Sequence, residues 1–131
     1  MTHFVSPGLH LLIDCWGARH LRDPVAIEAA FRKAVINSGA TLLDIQLHTF
    51  GEGAGVTGVA ILAESHMSIH TWPEIDYLAM DIFMCGSCDP YAALATLQEI
   101  FQPERTEVRE HRRGIPSYNT AINTKKMAEE A

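Results

Sequence analysis

A chain of 131 residues, 47% of them hydrophobic, has material for one modest core, so a single domain spanning 1–131 is expected. A formal charge of −6 and the lack of a long Lys/Arg run argue against a nucleic-acid partner, whose binding depends on neutralising phosphates. The opening residues, Met1 to Gly8, lack the basic and apolar parts of a secretory signal, and no apolar run reaches spanning length. No membrane partner and a cytoplasmic location follow as expectations.

Leu9 to Trp16 reads as a first strand with Asp14 as its polar interruption. A helix follows, with Asp23 as N-cap, Pro24 at the first helical position, an apolar stripe of Ile27, Ala30, Phe31, Ala34 and Val35, and an end at Gly39. Ala40 to Phe50 is β-rich. Gly51 to Gly55 is a loop whose glycines lack the Lys-Ser/Thr ending of a phosphate loop. Val56 to Leu62 and Met67 to Trp72 read as two strands, which puts Glu64-Ser65 at a bend or strand end, where a peptide bond can be held in an unusual geometry.

Tyr77 to Met84 reads as a buried strand ending at Cys85-Gly86. A second helix opens on Asp89 and Pro90, carries Ala93, Leu94, Leu97, Ile100 and Phe101, and stops at Pro103. Thr106 to His111 supplies a last strand, and the mixed-sign run Arg109 to Arg113 reads as a solvated strand end. The polar tail from Gly114 lacks periodicity and is expected to be partly mobile. The pattern predicts a two-layer α/β (α+β) sandwich: a mainly antiparallel sheet with two helices on one face. A second copy of the chain is the simplest cover for the other face, so a homodimer is expected.

Reactive groups concentrate in Ala63-Glu64-Ser65-His66-Met67-Ser68-Ile69-His70-Thr71-Trp72-Pro73-Glu74. A serine with imidazoles close by in sequence is not by itself a hydrolase site, which needs a third, orienting group. Cys15, Cys85 and Cys88 are an odd number in a presumed reducing compartment, so no disulfide framework is expected.

This twelve-residue stretch resembles the processing site of the prokaryotic S-adenosylmethionine decarboxylases, whose proenzymes cleave themselves between Glu and Ser. Gly55-Val56-Thr57-Gly58-Val59 and Asp81-Ile82-Phe83-Met84-Cys85-Gly86 also fit that family, and the resemblance runs from Leu9 to about His111. It implies that the Ser65 hydroxyl attacks the Glu64 carbonyl and that the resulting ester is eliminated. Residues 1–64 then form a β chain, and a pyruvoyl cofactor made from Ser65 caps the α chain, 65–131. The pyruvoyl group would hold the substrate amine as a Schiff base and take up the electrons released with carbon dioxide. The product, decarboxylated S-adenosylmethionine, would serve spermidine and polyamine synthesis.

The resemblance also assigns roles. His70 would be the processing base, Thr57 would assist processing through its hydroxyl, and Cys85 would return a proton to the substrate. Phe50, Met67, Trp72 and Glu74 are the candidate substrate-binding residues, with aromatic faces for adenine and the Glu74 carboxylate for ribose hydroxyls. No metal is expected. Four rivals stand beside this reading: a thiol redox protein built on Cys85-Gly86-Ser87-Cys88, and a metal site using His66, His70 and the thiols. The others are the same pyruvoyl chemistry on ornithine or arginine, and a binding domain that never cleaves.

Overall fold

Alternating burial along the strands decides which side of the sheet becomes core. The protein, described here over residues 8–114 of a computed structural model, runs β1 (Gly8–Trp16), α1 (Pro24–Ser38), β2 (Leu42–Thr49), β3 (Val56–Leu62), β4 (Ser65–Trp72), a 3-10 turn (Pro73–Ile75), β5 (Tyr77–Cys85), α2 (Pro90–Phe101) and β6 (Arg105–Arg113). The strands form one six-stranded sheet ordered β2-β3-β4-β5-β1-β6, and every pairing is antiparallel. This is the predicted two-layer α+β architecture. The expectation of a mobile tail falls on residues 115–131, outside the described residues.

Both helices start where the sequence says they should. Asp23 Oδ1 accepts from the Ala26 amide at 3.1 Å, and Asp89 Oδ1 accepts from the Tyr91 and Ala92 amides at 3.0 and 3.2 Å. Each such cap contributes about 1 kcal/mol. Gly39 closes α1 in the left-handed conformation at φ +77°, where a Cβ is disfavoured.

The predicted α1 stripe is buried and meets Ala93, Leu94, Leu97 and Phe101 of α2 in one core. From below, the same core takes Leu11, Ile13 and Cys15 of β1, Met67 and Ile69 of β4, and Leu78, Met80, Ile82 and Met84 of β5. Burial pushes the Cys15 thiol up, which keeps it protonated and unreactive.

The other sheet face has no covering layer among the described residues. His10, Leu12, Asp14 and Trp16 share it with His66, Ser68, His70 and Trp72, and with Tyr77, Asp81 and Phe83, as the strand register requires. Leu12, Ile61 and Trp72 remain 38 to 43% exposed there, a high value for large apolar side chains in mid-sheet. β6 ends the sheet as a strand rich in Arg and Glu, a composition that discourages further strand pairing.

Candidate active site

β3 and β4 are joined by a two-residue turn, Ala63-Glu64, with Leu62 facing Ser65 across it. Glu64 sits at φ +62°, in the left-handed region that a residue with a Cβ avoids. The peptide bond between Glu64 and Ser65 therefore leaves a strained residue and enters the first residue of β4. The antiparallel register of β4 and β5 brings the end of β5 to the same place, and the Cys85 amide donates to Ser65 Oγ at 3.0 Å. The Glu64-Ser65 bond and Cys85, 20 residues beyond Ser65 in the sequence, thus meet at one end of the sheet.

Cys85 is half-buried and its sulfur lies 3.3 Å from Ser87 Oγ and 3.6 Å from Cys88 Sγ. Hydrogen bonds from the Ser87 side chain and backbone hold the Cys85 thiol below the usual thiol range, while burial and the neighbouring Cys85 push Cys88 above it. Both sulfurs border a surface cavity of about 210 Å³, lined also by Gly8, Leu9 and Arg112.

The remaining predicted residues gather elsewhere. Thr57 Oγ1 lies 3.1 Å from His70 Nδ1 across the β3–β4 pair, and both line a cavity of about 410 Å³ with Phe50, Trp72 and Glu74. The Gly51–Gly55 loop shapes its rim. A Cβ on Gly55 would sit 2.3 Å from the Thr71 carbonyl oxygen, so only glycine lets this loop close against the end of β4.

His70 is five residues beyond Ser65 on β4. At about 3.3 Å per residue the two lie roughly 16 Å apart, and the odd spacing puts their side chains on opposite faces. One chain therefore presents two separate groups of reactive residues. Met67 belongs to neither. It is fully buried with Ile69 beneath the helices, so its side chain is a core residue and leaves the substrate-binding set.

The structure adds a network that sequence reasoning did not assign. Asp81 Oδ2 accepts from His10 Nε2 at 2.6 Å and from His66 Nε2 at 2.8 Å, and Asp81 Oδ1 accepts a short bond from Ser68 Oγ. Burial raises the Asp81 carboxyl, but these three bonds outweigh it and hold it below the usual carboxylate range. Arg113 lies 3.3 Å from His10 Nδ1, and since guanidinium only donates, His10 keeps its own proton on Nε2 for Asp81. His66 and His70, paired in the metal reading, sit four residues apart on an extended strand, and His66 joins Asp81 while His70 joins Thr57. The signal available in sequence was the alternation of His66 and Ser68 with core residues; their partners needed the register.

A second such cluster stacks Trp72 on Tyr77 at 5.3 Å between ring centres, with Trp16 next at 5.7 Å and the Arg105 guanidinium 4.6 Å above Trp16. Tyr77 donates a short bond to Asp14, and burial together with that carboxylate pushes its phenol up to about 12.

A six-stranded antiparallel sheet under two helices, with a thiol and a hydroxyl brought together at a strained turn, defines a two-layer α+β protein of the enzyme class. Residues 9–114 match the model of the S-adenosylmethionine decarboxylase family. An S-adenosylmethionine decarboxylase proenzyme of Thermomicrobium roseum is 45% identical over 111 residues, covering 84% of this chain and 96% of that one. One of Methanococcus maripaludis is 44% identical, covering 82% and 90%. The crystal structure of the adenosylmethionine decarboxylase from Aquifex aeolicus superposes with a TM-score of 0.78 at 31% identity, over 88% of this chain and 97% of that one. The chain belongs to the S-adenosylmethionine decarboxylase family.

Proposed function

We propose that this protein is a self-cleaving, pyruvoyl-dependent enzyme that decarboxylates S-adenosylmethionine, with Ser65 as the precursor of its cofactor. The observation that carries this reading is the Glu64-Ser65 turn: a left-handed Glu64 precedes a serine whose hydroxyl oxygen is held by the Cys85 amide. Attack of Ser65 Oγ on the Glu64 carbonyl carbon forms a C–O bond as the C–N bond breaks, turning the amide into an ester and freeing residue 64 from its turn. The Cys85 N–H supports the negative charge that builds on Oγ as its proton leaves. Loss of the Ser65 Cα proton expels the Glu64 carboxylate. Water then replaces the nitrogen, releasing ammonia and leaving chains 1–64 and 65–131, both from one domain.

A pyruvoyl group at this position supplies an electron sink for decarboxylation. The residues around Ser65 fit such a group, because the turn is at the sheet end and the Cys85 thiol, next to the Ser65 side chain, would serve there as a proton donor. The cavity of Phe50, Thr57, His70, Trp72 and Glu74 suits a nucleoside: two exposed aromatic faces for the base and a carboxylate for sugar hydroxyls.

His70 cannot serve Ser65 of its own chain across roughly 16 Å of strand. This gap, with the uncovered sheet face, supports a homodimer in which two such faces stack. The three cysteines are free thiols, which suits a reducing, cytoplasmic setting.

Intact mass and carbon dioxide release test the proposal together. The expected result is a break before Ser65 with a blocked N-terminus on the second fragment, a Ser65→Ala chain that stays whole, and release from S-adenosylmethionine rather than from ornithine or arginine. A wild-type chain still full length after prolonged incubation would refute self-cleavage. Release from a basic amino acid alone would refute the substrate.

A further inference from the structure

Cys88 has no part in the chemistry above, yet the fold holds it against the thiol that does. The Cys88 amide donates to the Cys85 carbonyl at 3.0 Å, closing a turn that sets the two sulfurs 3.6 Å apart. Gly86 and Ser87, the turn's central residues, are exposed, both sulfurs are half-buried, and the pair opens on the cavity beside Arg112. β5 leads into this turn and α2 leaves it, so the thiols also stand before a helix N-terminus.

We propose that Cys85 and Cys88 form a reversible disulfide when the protein meets a low-molecular-weight disulfide such as oxidised glutathione, and that this bond switches the decarboxylase off. The inference rests on the reading of Cys85 as the proton donor. A sulfur tied to Cys88 carries no proton to give. The thiolate of Cys85 attacks one sulfur of the oxidant, forming a mixed disulfide and expelling the first thiolate. Cys88 then gives up its proton, and its sulfur attacks Cys85 Sγ and expels the second. Two protein thiols are oxidised, one disulfide oxidant is reduced to two thiols, and two electrons are transferred.

The two cysteines are suited to different steps. Hydrogen bonds from Ser87 favour the Cys85 thiolate, which fits the attacking sulfur, and the raised Cys88 stays a thiol until the mixed disulfide sits within reach. Cys88 also donates to the Gly39 carbonyl at 3.6 Å, which anchors it toward α1 and beside Cys85. Cys15, buried in the core, takes no part.

The test uses processed enzyme equilibrated in glutathione buffers of rising oxidised-to-reduced ratio, with turnover and intact mass read at each point. Wild type should lose turnover together with two hydrogens from the 65–131 fragment, and dithiothreitol should restore both. Cys88→Ser should turn over under reducing conditions, form only a glutathione adduct, and need a ratio about tenfold or more higher to lose activity, because it lacks the intramolecular closing step. Wild type and Cys88→Ser losing activity at the same ratio would overturn the proposal. So would a wild-type fragment carrying glutathione adducts and no internal disulfide, in which case an inactive Cys85→Ser would still leave the decarboxylase reading standing. A disulfide that forms without affecting turnover would refute the switch and the proton-donor role of Cys85 together.

Discussion

Replacing Glu64 with glycine isolates what the strained turn contributes to self-cleavage. Glu64 sits at φ +62°, where a residue with a Cβ is disfavoured by about 1 kcal/mol relative to glycine. The ester formed by Ser65 frees residue 64 from the turn, so part of that energy is recovered on the way to the transition state. Removing it should slow cleavage by up to about fivefold, since 1.4 kcal/mol corresponds to about tenfold. The same change in a Ser65→Ala background, where the chain stays whole, should stabilise the fold by about 1 kcal/mol and raise Tm by about 3–6 °C. Glu64→Ala keeps the Cβ and the strain while removing the carboxylate, and should cleave near the wild-type rate. Cell-free synthesis followed by timed gel analysis of the fragments gives the rates. Glu64→Gly cleaving as fast as wild type, or failing to stabilise the uncleaved chain, would refute the argument.

If Ser65 and His70 of one site come from different chains, co-expressed Ser65→Ala and His70→Ala should rescue each other in mixed dimers. Only the His70→Ala chain should then be cleaved, visible by mass, and no cleavage would show that both groups act within one chain. Ser87→Ala should raise the Cys85 thiol toward its ordinary value by removing the hydrogen bond that lowers it most. An acid is active while protonated, so the alkaline fall in turnover should move to higher pH, and an unmoved limb in a pH–rate profile would remove Cys85 from that role.

The helices were legible because their determinants are local. Asp23 and Asp89 cap within three residues, and the stripe from Ile27 to Val35 needs only the helical period to identify its buried face. The strands were legible from apolar alternation. Thr106 to His111 gave the core of β6, which pairs one residue further toward its start and two toward its end than its own residues indicate, because β1 offers partners along its whole length. The Glu64-Ser65 position at a strand junction also followed from the sequence.

Strand register was not legible, since it depends on contacts between residues up to about a hundred positions apart. Register placed Cys85 over Ser65, moved His70 to the far end and opposite face of β4, gathered His10 and His66 on Asp81, and turned Met67 into the core. The amino-acid sequence by itself determined the elements, their caps and the reactive stretch, because these are set by neighbours within a turn or along a strand. Only the tertiary structure decided which reactive groups share a site, because pairing two strands fixes both the partner and the face of every side chain they carry.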